Sequence, residues 1–242
     1  MKLSRRPSVN VDEDNPYWLS FSDVLSGLLV LFILASLTLI LELTKTKEEV
    51  NEALLEIQRA EKARFNIINQ IQQELQKDGI LVEVIENYTV LRIPERQLAF
   101  ATNSDKIPED LETQAAVKKI GIAIHRAILE HDGSKYLDTV FVEGHTDSRA
   151  TRLYKGNWGL SAFRAISLWE FWNRELDLIP AYYDMRNESG KALFSVSGYA
   201  ATRRANVIES TDEEREQNRR IDIRFTVKKP NSLELEDISE KL

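Results

Sequence analysis

No cysteine occurs in the 242 residues, which excludes disulfides, thiolate metal sites and cysteine nucleophiles and leaves the redox compartment open. Histidine is nearly as scarce, and His125, His131 and His145 are too scattered for a His-rich metal cluster. Positive charge is in deficit: 32 Lys and Arg stand against 39 Asp and Glu, a formal net charge of −7. Neutralising phosphates takes a concentrated basic surplus, so, local patches aside, this balance argues against a nucleic-acid partner. Glycine and proline are missing altogether between Leu43 and Gly79, where nothing interrupts a helix.

What is present first is an uncharged run, VLSGLLVLFILASLTLIL, from Val24 to Leu41, ended by Glu42. Counted from Tyr17 it spans 25 residues, or ~37 Å as a helix, enough to cross a hydrocarbon core of ~30 Å with tilt. Residues 17–43 are therefore expected to form a single transmembrane helix in contact with membrane lipid, after a cytoplasmic tail over 1–16. A cleaved signal peptide fits poorly, because its apolar core would be about 7–15 residues. Acidic Asp12, Glu13 and Asp14 also separate the basic start from the apolar run. Lys2, Arg5 and Arg6 favour a cytoplasmic N-terminus, although Lys45 and Lys47 weaken the contrast, and Tyr17 and Trp18 suit an interfacial anchor.

Asp23 lies six residues beyond Tyr17, roughly 9 Å along a helix axis. A carboxylate inside the membrane costs at least a few kcal/mol unless it is protonated, paired or hydrated, which marks it as an ion or proton site. It also fits the headgroup boundary of a span that begins at Val24, and the residues alone leave both readings open. Ser22 and Ser26 form a small-xxx-small pair and Gly27 follows Asp23 by one helical turn, a face suited to close approach of another helix.

Val50, Leu54, Ile57, Glu61, Arg64, Ile68, Ile71 and Leu75 recur at spacings of three and four. The pattern predicts a helical linker over 44–79, either a dimeric coiled-coil stalk or one amphipathic helix packing on the domain that follows. Gly79 is placed to stop it. Beyond it, LVEVIE and YTVLRI flank Asn87 as a hairpin. Helices are expected over Glu109–His131 and Leu160–Glu175, and strands over Thr139–Glu143, Leu193–Ser197 and Ile221–Val227. This is an α+β or α/β domain over 80–229, large enough for its own core, with an acidic tail over 230–242.

The densest text is VEGHTDSRATRLYKGNWGLSAFRA, from Val142 to Ala165. Glu143, His145 and Asp147 alternate at a strand end, but one His with two carboxylates is a weak metal-ligand set. No nucleophile with an ordered base accompanies them, so no catalytic residue, metal or cofactor is expected and the chain is not read as an enzyme.

GHTD at Gly144–Asp147, then Asn157, Leu160, Ser161, Arg164 and Ala165 in the register N-x-x-L-S-x-x-R-A, resembles the peptidoglycan-binding signature of OmpA-like C-terminal domains. SVSGYA at Ser195–Ala200 and QNRRIDIRF at Gln217–Phe225 resemble that family's later strands. The resemblance implies an α+β domain of OmpA-like βαβαβ type. Asp147 would pair with the ammonium and Arg164 with a carboxylate of diaminopimelate in the peptidoglycan stem peptide. Asn157 and Thr146 would add neutral hydrogen bonds, Leu160 is the motif's apolar member, and Arg220 would add positive potential at the rim. The loop from Asp147 to Asn157 is longer than the family's, which puts contacts from it in doubt. Without the resemblance, Asp147 as a cap ion-paired to Arg164 within the fold serves as well.

One early span bearing Asp23, a helical linker and an OmpA-like domain is together similar to the B subunits of ion-driven stators of the MotB type. Trp18-Leu19-Ser20-Phe21-Ser22-Asp23 stands close to their W-x-x-x-[YF]-[AS]-D. The resemblance implies an inner-membrane homodimer within a ring of multi-span MotA-like A subunits, with its C-terminal domain in the periplasm. Asp23 would carry the coupling ion, H⁺ by expectation, with nothing in this chain that excludes Na⁺. The NPYWLSFSD opening is most similar to the B component of the Zorya anti-phage system. A flagellar MotB subunit and a passive OmpA-like tether are the alternatives.

Overall fold

The computed structural model describes residues 16–229, so Lys2, Arg5, Arg6 and the acidic tail lie outside the described residues. The chain divides into two compact units, one holding the described residues up to Glu52 and the other beginning at Ala53.

The described part of the first unit is helical throughout, within helix α1 (Pro16–Lys77). Leu28, Leu31, Phe32 and Leu41 are all exposed, and a helix apolar on every side belongs in lipid rather than water. It is the one helix among the described residues long and apolar enough to cross a membrane. Two of its hydroxyls are satisfied internally: Ser26 Oγ donates to the Ser22 carbonyl at 2.7 Å and Thr38 Oγ1 to that of Leu34 at 2.9 Å. Such back-bonding spares those two hydroxyls a bare donor towards hydrocarbon. Asp23 has no hydrogen-bond or ion-pair partner among the described residues.

The second unit is α+β, the class expected. Its five-stranded mixed sheet has the order β1-β2-β5-β3-β4, built from β1 (Glu83–Ile85), β2 (Val90–Pro94), β3 (Leu137–His145), β4 (Phe194–Gly198) and β5 (Arg220–Val227). Helix α2 (Leu111–Glu130) joins β2 to β3, and α4 (Gly156–Glu175) makes the crossover between the parallel pair β3 and β4. The last strand, β5, returns to the middle, antiparallel to both β2 and β3. Short helices α3 (Gly133–Tyr136) and α5 (Asp212–Glu216) fill connections, and neither was legible from periodicity.

Alternation gives the sheet two unlike faces. Leu91, Ile93, Val140, Val142, Ile221, Ile223 and Phe225 form the core with α2 and α4. The opposite face carries ions: Arg92 and Arg220 pair with Asp222, and Arg224 with Glu143.

One expectation is corrected, and the two readings of the linker divide along the helix. The hairpin is closed not by one residue but by Glu86 to Thr89, with Glu86, Asn87 and Tyr88 at φ of 50°, 53° and 57°, since one residue cannot reverse an antiparallel pair. The linker seam also splits: Ile68, Ile71 and Leu75 are fully buried in the domain core, whereas Val50 and Leu54 are exposed. From Ala60 onward the helix packs on its own domain, because the same three-four spacing serves either partner. Gly79, at φ 72°, ends it while Ile80 N–H reaches back to the Leu75 carbonyl at 2.9 Å, the usual left-handed stop.

Candidate functional site

The C-terminal ends of β3 and β4 are drawn tightly against the start of α4. A Cβ on Gly144 would stand 1.9 Å from the Ser161 carbonyl oxygen, and one on Gly198 2.4 Å from the Ala162 nitrogen. Only glycine admits so close an approach. Ser161 locks the junction by donating to the Trp158 carbonyl at 3.1 Å and accepting from Ala200 N–H at 3.0 Å. Ala165 is buried on the core side. The GHTD glycine and the LS serine are thus fold determinants that aim the rest of the motif.

Asn157, Leu160 and Arg164 follow one another along one side of α4 at spacings of three and four. They line a cavity of about 400 Å³ together with Thr146, Asp147, Arg149, Glu95, Phe100, Asp212 and Arg219. Five of the six peptidoglycan-contact residues expected from the sequence, Asp147, Arg164, Asn157, Thr146 and Leu160, therefore meet in one place. Asp23 lies in the other unit.

Arg164 is buried, with its guanidinium over the Phe100 ring at 4.9 Å. Its Nε donates to the Ser104 carbonyl at 2.9 Å and its Nη2 to that of Ala101 at 3.2 Å. No carboxylate lies within ion-pairing distance of it among the described residues. Burial pulls its pKa below the ordinary arginine value, with Glu95 and Asp147 opposing through space.

Asp147 is engaged instead by two other arginines. Arg149 reaches it with Nη2 at 2.7 Å and Nε at 2.9 Å, and Arg219 with Nη1 at 2.7 Å. Burial opposes its charge, but the hydrogen bonds from Arg149 and Arg219 prevail and hold its pKa below the usual carboxylate value. An Asp147–Arg164 pair within the fold is not formed. Asn157 Nδ2 donates to the carbonyls of Asp147 and Arg149 at 3.2 and 2.9 Å, tying the loop to the helix. Thr146 Oγ1 is buried and without a partner in the described residues.

Arg220 is a correction. It does not line the cavity: its guanidinium is buried on the ionic face, on Asp222 at 3.0 Å and the Arg203 carbonyl at 2.8 Å. Its neighbour Arg219 stands in the cavity wall, paired to Glu95 and Asp147. The Glu143, His145 and Asp147 trio also disperses. Glu143 takes Arg224, His145 stacks on Tyr199 at 5.4 Å, and Asp147, beyond the strand, turns into the cavity. Arg149, Arg219, Glu95 and Asp212 were not singled out from the sequence. The parity of β5 would have found Arg219, since it shares the helix-facing register of Ile221.

No sequence-family model matches the chain, and no curated protein matches it. Among solved structures, a protein described as MotB-like from Desulfovibrio vulgaris superposes with a TM-score of 0.51 at 16% identity, covering 71% of this chain and 99% of that one. The chain has that protein's fold. The cell wall anchor of the T6SS from Pseudomonas aeruginosa gives a TM-score of 0.47 at 22% identity, covering 66% of this chain and 97% of that one. The periplasmic domain of Helicobacter pylori MotB gives 0.46 at 20%, covering 66% and 88%.

Proposed function

We propose that the chain is the peptidoglycan-anchored B subunit of an ion-driven motor of the inner membrane, single-pass, with its N-terminus cytoplasmic and its second unit periplasmic. The cavity takes the diaminopimelate end of a stem peptide. Arg164 holds its carboxylate, Asp147 its ammonium, and Thr146 and Asn157 add neutral hydrogen bonds over the apolar contact of Leu160. The observation that carries this reading is Arg164, a buried cavity-lining guanidinium held by two carbonyls and a ring and left without a counter-ion. A planar cation so fixed is matched by a bidentate carboxylate. The partnerless Thr146 hydroxyl, on a residue lining the same cavity, and the fold shared with a MotB-like protein add support.

In this account Asp23 carries the coupling ion, H⁺ by preference with Na⁺ compatible, against a ring of multi-span MotA-like subunits. A carboxylate without a partner on an otherwise apolar spanning helix supports that role. The exposed Val50 and Leu54 provide a seam for a homodimer. A defence role of Zorya type rests on the NPYWLSFSD opening.

The anchor is tested with the full chain in detergent, co-sedimented with isolated peptidoglycan sacculi. Binding is expected, and Arg164→Ala should weaken it by about tenfold or more, as when one partner of a desolvated charged pair is lost. A folded Arg164→Ala chain that binds as well as the wild type contradicts the site.

A further inference from the structure

Asp147, the residue assigned to the ligand's ammonium, is fully subscribed in the free chain. Its Oδ2 accepts from Arg149 Nε and Nη2 and from Arg219 Nη1, while its Oδ1 accepts the Arg149 backbone N–H at 3.0 Å. The two arginines are differently held. Arg219 is fastened between Glu95 and Asp147 with 19% of its side chain exposed, whereas the Arg149 side chain is 55% exposed and rests on the loop. Arg149 also has somewhere to go: its Nη1 already touches Asp212 Oδ1, on the first turn of α5, at 3.2 Å.

The geometry points to Arg149 as an internal competitor of the ligand, its guanidinium occupying the ammonium position on Asp147 until the diaminopimelate end displaces it towards Asp212. This rests on the reading of the cavity as the stem-peptide site and makes Arg149 the residue that sets its affinity. Displacement keeps charge balanced, since one cation replaces another on Asp147. Its cost is limited, because Asp147 keeps Arg219 while the Arg149 side chain, 55% exposed, keeps Asp212 and gains water. The backbone hydrogen bond to Asp147 Oδ1 and the Asn157 bond to the Arg149 carbonyl involve no Arg149 side-chain atom, so truncation leaves the loop in place.

The test uses the full chain in detergent with three variants, Arg149→Ala, Asp212→Asn and Arg164→Ala. Each is titrated against sacculi of a diaminopimelate-type wall and against the same sacculi with their free amines acetylated. Arg149→Ala should bind native sacculi roughly three- to fivefold more tightly, although it removes a cation that a polyanionic wall would attract. The gain should vanish on acetylated sacculi, which have lost the ammonium. Asp212→Asn should bind more weakly than wild type, because the displaced guanidinium loses its second carboxylate. Equal or weaker binding by Arg149→Ala, or a gain that survives acetylation, overturns the competitor role while leaving the site intact if Arg164→Ala still weakens binding about tenfold. Undiminished binding by Arg164→Ala overturns the site and the competitor together.

Discussion

Arg219 and Arg220 are adjacent in the chain and serve opposite faces of the sheet: Arg219 reaches Glu95 and Asp147 in the cavity wall, and Arg220 reaches Asp222 on the ionic face. One residue of chain separates a cation of the cavity wall from one of the ionic face.

Arg220→Ala should therefore act on stability. It leaves the buried Asp222 carboxylate with Arg92 as its remaining arginine partner, and losing a charged hydrogen-bond donor from a buried carboxylate costs about 2 kcal/mol. Urea unfolding should show that loss, with sacculus binding retained wherever the variant is folded. Arg219→Ala, at a partly open wall, should lose less than half as much.

Gly144→Ala separates fold from chemistry within the GHTD motif. The added methyl would meet the Ser161 carbonyl, a backbone atom that cannot step aside alone. Overpacking of that kind costs about 3 kcal/mol, and the melting temperature should fall accordingly. An unchanged melting temperature would contradict the tight junction of β3 with α4.

His145 gives the domain a pH signature. Burial, followed by repulsion from Arg220, pushes its pKa down to about 3, so it is neutral beside Asp222. An unfolded imidazole protonates near pH ~6.5. Between those values the unfolded chain binds the extra proton, so stability falls as pH drops below ~6.5, by up to ~1.4 kcal/mol per unit. His145→Phe keeps a ring against Tyr199 and removes the titration. Between about pH 6.5 and 5 its stability should decline less steeply than that of wild type, and parallel curves would refute the assignment.

The linker seam was legible as a pattern and not as a partner. Its three-four spacing marks an apolar helical stripe, but spacing does not say what covers the stripe; Ile68 is covered by its own domain and Leu54 is exposed. The α4 motif was more informative, because Asn157, Leu160 and Arg164 share a helix side whatever lies opposite. Arg149 was invisible: its role comes from a loop that folds back on Asp147, and no periodicity encodes such a return. The helices α2 and α4 and the five strands were readable to within a few residues, since their apolar periodicity is the burial pattern itself, whereas the short α3 and α5 carry no such period.

Ile68→Asp should accordingly unfold the second unit, a buried carboxylate in an apolar core costing several kcal/mol. Leu54→Asp should leave its melting temperature unchanged. If the exposed seam pairs two chains, the same variant should shift the full chain from dimer towards monomer in light scattering.

The central claim is that this anchor serves an ion-driven motor, and Asp23→Asn tests it most directly. The amide preserves size and hydrogen bonding, yet it neither takes up a proton at physiological pH nor offers a formal charge to sodium. Under the proposed defence role, the variant and wild type are to be compared for phage protection in cells that also express the proposed multi-span A subunit, with co-purification of that subunit as the control for assembly. An assembled Asp23→Asn complex without protection is the result predicted here. Full protection from that assembled complex would contradict ion coupling through Asp23 and leave the chain as a passive tether.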